Sequence, residues 1–332
     1  MNFEGCLQQQ SAILSVLWLE LATNQAANMS NIIETHRLSF SFSKGKKIVS
    51  DLSIHVPAGS IYGFLGPNGA GKTTTMRLLT RVIPDETNSI SLFGKRVRGQ
   101  LPGMFSKMAA MMETPALHYH LSGRDNLRYA AKMRGVSYSK IDTALEMTDM
   151  LYAKNQPVKQ YSFGMKQRLA ISVALLSEPE LLLLDEPVNG LDPAGMVHIR
   201  QLLMKINKER GTTVFVSSHL LNEIERMCSH IGIIHLGSLK FEGSIGELSQ
   251  KFDKCEAELE VADAGKWVQQ LNERNYSAVR IDDNHLSVSL RDKQELPAVT
   301  KQLIEIGASL YTVKVREGLE DWFISLTNNF SK

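Results

Sequence analysis

A twelve-residue stretch, Phe64 to Thr75, constrains the fold of this chain more than any other part of its sequence. It reads FLGPNGAGKTTT and contains the pattern G-x-x-x-x-G-K-[ST] over Gly66–Thr73. An apolar run precedes it, and a helical pattern, KTTTMRLLTRVI, follows it and is expected to end at Pro84. A buried strand that leads through a glycine loop into a helix N-terminus is typical of phosphate-binding α/β proteins.

The residue types in this loop suit an anion that carries several phosphate groups. Glycines let backbone N–H groups approach phosphate oxygens, and the positive end of the next helix points at the same place. The Lys72 ammonium is expected to reach the outer phosphates, the Thr73 hydroxyl to bind Mg²⁺, and Thr74 to bond an inner phosphate. The alternative, a chance glycine turn, does not explain the strand–loop–helix context. The predicted nucleotide-binding residues here are Gly66, Pro67, Asn68, Gly69, Ala70, Gly71, Lys72, Thr73 and Thr74.

Two further strand ends carry polar groups. The apolar run LLLLDEP predicts a buried parallel strand that ends in two acids. There Asp185 suits the Mg²⁺ shell, and Glu186 can orient or deprotonate an attacking water; the alternative is that both acids only cap the next helix. The stretch VFVSSH closes another strand with His219, whose imidazole could bond a terminal phosphate.

A second anion site is indicated by YSFGMKQRLAIS, Tyr161 to Ser172. Ser162 and Gly164 precede an expected helix that opens at Lys166, so a hydroxyl and glycine N–H groups would lie at a helix N-terminus. One chain therefore carries two half-sites for one nucleotide. A head-to-tail pair of copies, each completing the other's site, is the economical solution.

Composition and charge exclude several other classes of protein. The net charge of +2, without a dense Lys/Arg tract, gives no footprint for nucleic acid. Cys6, Cys228 and Cys255 are widely spaced and fit a reducing compartment better than a disulfide framework or a zinc site. No stretch approaches the roughly 20 apolar residues of a membrane span. His118 and His120, in LHYH, lack further ligands nearby, so a loop facing a partner explains them better than a metal site.

The order of expected elements divides the chain into three segments. Residues 1–31 form a leader, amphipathic or disordered, with Met29 as an alternative natural start. Residues 32–249 alternate strands and helices, which argues for an α/β core with a parallel sheet. Residues 250–332 give the order β-α-β-β-α-β, which suits a small ferredoxin-like α+β domain, and LEDWFISLT then forms a closing helix.

In this order the motifs resemble those of ATP-binding cassette ATPases, the nucleotide-binding subunits of ABC transporters. The resemblance covers Ile32 to Ser244 and implies a P-loop ABC-type α/β domain with a parallel core sheet, an antiparallel β subdomain and a helical subdomain. A small α+β C-terminal domain would follow it. The matching motifs are the phosphate loop Gly66–Thr73, the signature Tyr161–Met165, the acid strand Leu181–Asp185 with Glu186, the D-loop Gly190–Pro193 and the switch His219.

The resemblance also implies roles that the residue spacing leaves open. Phe42, in SFSFSKG, matches the aromatic residue that stacks on adenine, and Phe40 is the less suitable candidate. Asp192 matches the D-loop acid and is expected at the nucleotide. Ser162 and Gly164 would contact the outer phosphate of the nucleotide held by the opposite copy.

Two departures from the common pattern narrow the family. The loop MMETPALHYHLSGRDNL carries Glu113 where glutamine is usual, and the signature YSFGM carries Phe163 and Met165 where glycine and glutamine are usual. Both features, and the LEDWFISLT ending, resemble the ATPases of bacitracin and lantibiotic resistance exporters. Glu113 would add a carboxylate near Mg²⁺. The expected metal ligands are therefore Thr73, Glu113 and Asp185, and the expected catalytic residues are Glu186, His219 and Lys72.

This resemblance implies an ATPase that uses ATP and Mg²⁺ and energises export of a peptide antibiotic. The expected partners are a second copy and separate transmembrane permease subunits, with the ATPase at the cytoplasmic face of the membrane and no nucleic acid bound. Export of another drug, a lipid or a polysaccharide is the main alternative. A soluble ABC ATPase of DNA repair or translation, or a P-loop GTPase or kinase, lacks support because no coiled-coil insertion, second cassette or Asn-Lys-x-Asp strand end is found.

Overall fold

The computed structural model of the chain describes residues 30–42, 45, 47–112, 116–251, 255–291, 293–316 and 318–328. The leader predicted at 1–31 lies outside these residues except for its last two, and the first strand already includes Asn31. Within the described part of the chain, every helix is too short or too polar to span a bilayer.

The strands before residue 250 are β1 (Asn31–Thr35), β2 (Leu38–Phe40), β3 (Val49–Leu52), β4 (His55–Pro57), β5 (Ile61–Leu65), β6 (Ile90–Leu92), β7 (Lys95–Arg96), β8 (Met108–Met111), β9 (Leu181–Asp185), β10 (Thr213–Ser218), β11 (His230–His235) and β12 (Ser238–Ser244). The helices of this part are α1 (Lys72–Leu79), α2 (Gly123–Arg134), α3 (Lys140–Met147), α4 (Phe163–Leu175), α5 (Pro193–Arg210), α6 (Leu221–Glu225) and α7 (Ile245–Lys251).

A six-stranded sheet in the order β12-β11-β5-β10-β9-β8 forms the centre of this part. Its neighbours pair in parallel except for the β11–β12 hairpin. Both faces of the sheet are covered: along β9, Leu182 and Leu184 pack into one apolar core, and Leu181 and Leu183 pack into another. Burial on both faces explains why this strand reads as a continuous leucine run, as predicted.

The other two parts implied by the resemblance are also present. An antiparallel sheet, β4-β1-β6-β7, and the β2–β3 pair share the second core with α1. Helices α2, α3 and α4 enclose a separate apolar core that includes Leu127, Leu145 and Leu169. The predicted fold class, an α/β domain with a parallel core sheet, is therefore confirmed.

Helix α1 is shorter than its sequence pattern predicts. It ends at Leu79 and not at Pro84, because Thr80 caps it and Arg81 adopts a left-handed conformation with φ of 60°. The Thr80 N–H and hydroxyl both donate to the Met76 carbonyl at 2.9 Å, and the Ile83 N–H donates to the Arg77 carbonyl at 3.0 Å, so these late carbonyl groups have partners.

The remaining elements are β13 (Cys255–Val261), α8 (Ala264–Glu273), β14 (Ser277–Arg280), β15 (His285–Leu290), α9 (Leu296–Glu305), β16 (Leu310–Arg316) and α10 (Leu319–Asn328). The predicted order β-α-β-β-α-β is confirmed, and the antiparallel sheet runs β14-β15-β13-β16 around its own core. The division of the chain at residue 250 stays a prediction. Helix α10 leaves this sheet and packs on α6 and α7, with Leu319 fully buried in the first core of the six-stranded sheet.

We expect Gly232→Ala to lower the free energy of unfolding by about 1–3 kcal/mol, the usual cost of overpacking a core. A Cβ at Gly232 would collide with the hydroxyl of Tyr62, which is fully buried and donates to Glu242 at 2.9 Å. Urea unfolding measures the change. Gly99→Ala is the matched control, because no atom lies within 4 Å of a Cβ there. Equal stability of the two variants would contradict the prediction.

Candidate nucleotide site

The path of the loop between β5 and α1 requires glycine at two positions, Gly66 and Gly71. A Cβ on Gly66 would lie 2.5 Å from the Ile234 carbonyl oxygen, closer than real Cβ contacts. Gly71 has φ of 110°, and a Cβ there would lie 2.9 Å from the Ile48 carbonyl oxygen. The loop therefore presents bare backbone at the N-terminus of α1, the arrangement that cradles phosphate groups.

Lys72 opens α1, and its side chain folds back over this loop. It is only 6% exposed, and its Nζ donates to the Gly66 carbonyl oxygen at 2.7 Å. The same Nζ lies 3.4 Å from Oε1 of Glu186. A buried ammonium needs a counter-charge, and Glu186 supplies it in this structure. Thr73 and Thr74 follow in the first turn of α1, both half-buried.

Asp185 ends β9 with its side chain only 2% exposed. The parallel register pairs it with Ser217 of β10, and the Ser217 hydroxyl donates to Oδ1 of Asp185 at 2.5 Å. Ser217 was missed by the sequence analysis, although it lies two residues before His219 on the strand that was predicted to end at the site. A parallel pairing of the two strand ends was the signal that could have found it.

Glu186 contacts both of the other predicted catalytic residues. One carboxylate oxygen faces Lys72, and Oε2 lies 2.8 Å from Nδ1 of His219. The backbone of Glu186 is left-handed, with φ of 49°, and its N–H donates to the Ser217 hydroxyl at 3.1 Å. Lys72, Glu186 and His219 therefore form one chain of contacts at the carboxyl ends of the parallel strands.

The helix-capping explanation of the two acids is wrong. The next helix, α5, is capped by Asp192, whose Oδ1 accepts a hydrogen bond from the Gly195 N–H at 3.3 Å. Neither Asp185 nor Glu186 is therefore needed to cap this helix. The cap also fixes Asp192, the D-loop residue that was predicted to lie at the nucleotide.

The signature helix begins earlier than the sequence predicts. Helix α4 starts at Phe163 and not at Lys166, so Gly164 lies in its first turn. Ser162 is the N-cap, and its hydroxyl accepts from the Met165 N–H at 3.2 Å. Because Ser162 caps the helix, α4 starts three residues before Lys166, the charged residue that was expected to open it.

Ser162 and Gly164 line a cleft of about 340 Å³ that Asp192 and His198 also line. The residues around this cleft include no member of the phosphate loop. Behind it, Gln167 is buried and donates through Nε2 to the carbonyl of Pro187 at 2.8 Å, which ties α4 to the residue that follows Glu186. The two predicted half-sites therefore occupy separate surfaces of one chain.

The remaining predicted residues lie apart from these groups or outside the described residues. Phe42 is 66% exposed, and its ring lies nearly perpendicular to that of Phe40 with the ring centroids 4.9 Å apart, so most of the Phe42 side chain is accessible. Glu113, the predicted metal ligand, lies outside the described residues. His118 and His120 have ring centroids 6.0 Å apart in a turn. Among the described residues, no group of three His, Cys, Asp or Glu side chains could hold a metal ion.

Comparison with known proteins agrees with this geometry. The sequence profile described as ABC transporter matches residues 49–189. The bacitracin transport ATP-binding protein BcrA of Enterococcus faecalis is 38% identical over 301 residues, which is 90% of this chain and 97% of that protein. The lantibiotic transport ATP-binding protein SrtF of Streptococcus pyogenes is 37% identical over 212 residues, 64% of this chain and 90% of that protein.

A solved structure gives the same result for the fold. The ATP-binding subunit of an ABC transporter superposes with a TM-score of 0.58 at 28% sequence identity. The match covers 67% of this chain and 93% of the solved one. The likeness in both sequence and structure thus extends over nearly the whole length of each relative.

Proposed function

The chain belongs to the family of ABC transporter ATP-binding subunits, which bind and hydrolyse ATP, and from this premise we propose that it energises export of a peptide antibiotic through a separate permease. The observation that carries the energising role is the contact chain Lys72–Glu186–His219 beside the glycine loop. It joins a phosphate-binding cation to a carboxylate that is oriented from two sides.

The geometry supports specific roles for these three side chains. Phosphate oxygens compete with Glu186 for the Lys72 ammonium, because both partners are anionic and lie at the same loop. When Lys72 turns to the phosphates, one carboxylate oxygen of Glu186 becomes free to accept a proton from the attacking water. His219 holds the other oxygen, which keeps the carboxylate pointed at that water.

Mg²⁺ fits the oxygen donors of this site. The buried Asp185 carboxylate is met by the uncharged Ser217 hydroxyl, so it suits a nearby cation. Thr73, in the first turn of α1, adds a hydroxyl, and oxygen donors are the ligands that Mg²⁺ prefers. Bound there, Mg²⁺ would offset the negative charge of the phosphates. Asp185 and Thr73 would hold it from the protein side, and Glu113 stays a candidate third ligand.

Two copies of the chain are proposed to share each nucleotide. Ser162 and Gly164 lie at a helix N-terminus, which attracts anions, but they line a cleft without phosphate-loop residues. A second copy that is turned head to tail would bring its Ser162 to the ATP on Lys72, and Asp192 would lie beside the shared site. Phe42 would stack on the adenine.

A permease is the proposed membrane partner, bound at the cytoplasmic face. Large apolar side chains are exposed on and before α2, with Tyr119 and Tyr129 half-exposed and Met133 more so. Exposed apolar surface of this kind commonly marks a protein partner. The cargo is inferred from the relatives, whose names give bacitracin and lantibiotic transport.

The proposed cargo is tested in a bacterium sensitive to bacitracin and to a lantibiotic, with the chain co-expressed with a candidate permease. We expect the minimal inhibitory concentration of at least one of these peptides to rise. The rise should disappear with Glu186→Gln, because that variant lacks the base that activates water. Growth-inhibition assays with a panel of other drugs run in parallel.

Immunoblots first establish that the parent protein and the Glu186→Gln variant are present in equal amounts in the membrane. Protection against another drug alone, lost with Glu186→Gln, would replace the peptide cargo and keep the transporter. Protection that survives Glu186→Gln would contradict the hydrolytic role of Glu186.

A further inference from the structure

The short helix α6 follows His219 after a single residue, Leu220, which occupies the N-cap position. Wherever α6 moves, His219 must move with it, because one residue of chain cannot absorb a displacement of the helix. The contacts that hold α6 therefore also set the distance between His219 and Glu186.

One of these contacts is an ion pair between neighbouring helices. Nη1 of Arg200, on α5, lies 2.7 Å from Oε2 of Glu223, on α6. Both side chains are only 13% exposed, which makes this pair far less accessible to water than a surface ion pair. A charged hydrogen bond with little access to water is strong and directional, and loss of one partner leaves an uncompensated charge.

The other contacts of α6 are apolar or involve backbone groups. Ile224 is fully buried and presses on bare backbone: a Cβ on Gly63 of β5 would lie 2.7 Å from its Cγ2. Oε1 of Glu225 accepts from the N–H of Leu319, the first residue of α10, at 3.4 Å. Ile224 shares its apolar core with Ile199 and Leu203 of α5, and the ion pair adds a directional, charged link between the two helices to this packing.

We infer that Arg200 and Glu223 are positioning residues for ATP hydrolysis, whose ion pair holds α6, and with it His219, in register with α5. The inference rests on the proposed roles of His219 and Glu186. Asp192, the N-cap of helix α5, lines the same cleft as Ser162. The pair therefore links the surface that faces a second copy to the histidine that holds the hydrolytic carboxylate.

The test is the steady-state ATPase activity of Glu223→Gln in the full chain with its permease. We expect kcat to fall by about 10- to 100-fold, the usual effect of a small misplacement at a reacting centre, with KM for ATP within about twofold of the parent. The glutamine keeps the size and one hydrogen bond of the side chain but removes its charge. Arg200→Lys should have a smaller effect in the same direction because it retains the charge.

Two comparisons separate positioning from general stability. Glu180→Gln breaks a similar pair with Lys107, 2.9 Å long but about half exposed, and should leave kcat unchanged. In a His219→Ala background, Glu223→Gln should lower kcat no further, because the two changes then act on the same contact. Thermal unfolding of every variant establishes that it is folded at the temperature of the ATPase assay, so that differences in kcat do not reflect unfolded protein.

Each outcome has a distinct meaning. If His219→Ala leaves kcat unchanged, the proposed role of His219 fails. If His219→Ala lowers kcat but Glu223→Gln and Arg200→Lys do not, the positioning inference alone is overturned. A full additional loss from Glu223→Gln in the His219→Ala background also overturns it, since the pair would then act elsewhere.

Discussion

Glu186→Gln is expected to lower ATP turnover by about 10²–10⁴-fold, the contribution of a positioned general base, and to leave ATP binding intact. Glutamine has nearly the same shape as glutamate, so the contact with His219 can persist through its amide group. It cannot accept a proton from water at neutral pH. It also removes the negative charge that competes with the phosphates for the Lys72 ammonium, so ATP should bind at least as tightly.

Phosphate release and equilibrium binding of a fluorescent ATP analogue measure the two properties separately. Turnover at the parent rate would show that another group activates the water. Loss of binding would show instead that the carboxylate supports the loop.

The same variant traps the shared site. With MgATP it should accumulate as a particle of twice the monomer mass in light scattering, because hydrolysis no longer releases the second copy. Adding Ser162→Ala should return the particle to the monomer mass, since the serine hydroxyl would contact the ATP on the opposite chain. A Glu186→Gln particle that stays monomeric with MgATP would contradict the two-copy site.

Lys72→Ala is expected to weaken ATP binding severely. Charged hydrogen bonds contribute about 1.5–3 kcal/mol each, and the ammonium can make more than one to the outer phosphates. The loss of two such bonds corresponds to a weakening of about 10²–10⁴-fold in the dissociation constant. The change also leaves Glu186 without its counter-charge beside the phosphates, which adds repulsion.

Equilibrium binding of a fluorescent ATP analogue checks this result. Lys95→Ala serves as the control, because Lys95 is an exposed lysine on the short edge strand β7. Both variants change the net charge equally, so a general electrostatic effect would weaken both. Parent-like binding by Lys72→Ala would remove Lys72 from the nucleotide site.

The sequence predicts the parts of this site that depend on consecutive residues. The glycine loop, the buried leucine strand and the two acids each carry their signal within about ten residues, and the structure has them at the carboxyl ends of β5 and β9, with β10 between. The helix limits were less accurate. The left-handed Arg81 stops α1 and the capping side chain of Ser162 starts α4, and the apolar pattern records neither choice.

Contacts between distant parts of the chain could not be predicted from the sequence. The bond of Ser217 to Asp185 depends on strand register, and the Arg200–Glu223 pair depends on how α5 and α6 cross. The capping alternative for the acids was likewise decided only by the side chain of Asp192. In the sequence each of these side chains has many possible partners, and only the folded structure selects one of them.

Helix α10 shows how firmly the last part of the chain is attached. Leu319 reaches the apolar core beneath the six-stranded sheet, and Trp322, Phe323 and Leu326 lie against the same core. Helix α10 consequently ties the C-terminal sheet to the six-stranded sheet. A protein truncated after residue 251 would lack α10, and the apolar surface that α10 covers would be exposed to water. We therefore expect the truncated ATPase to be less soluble than the whole chain.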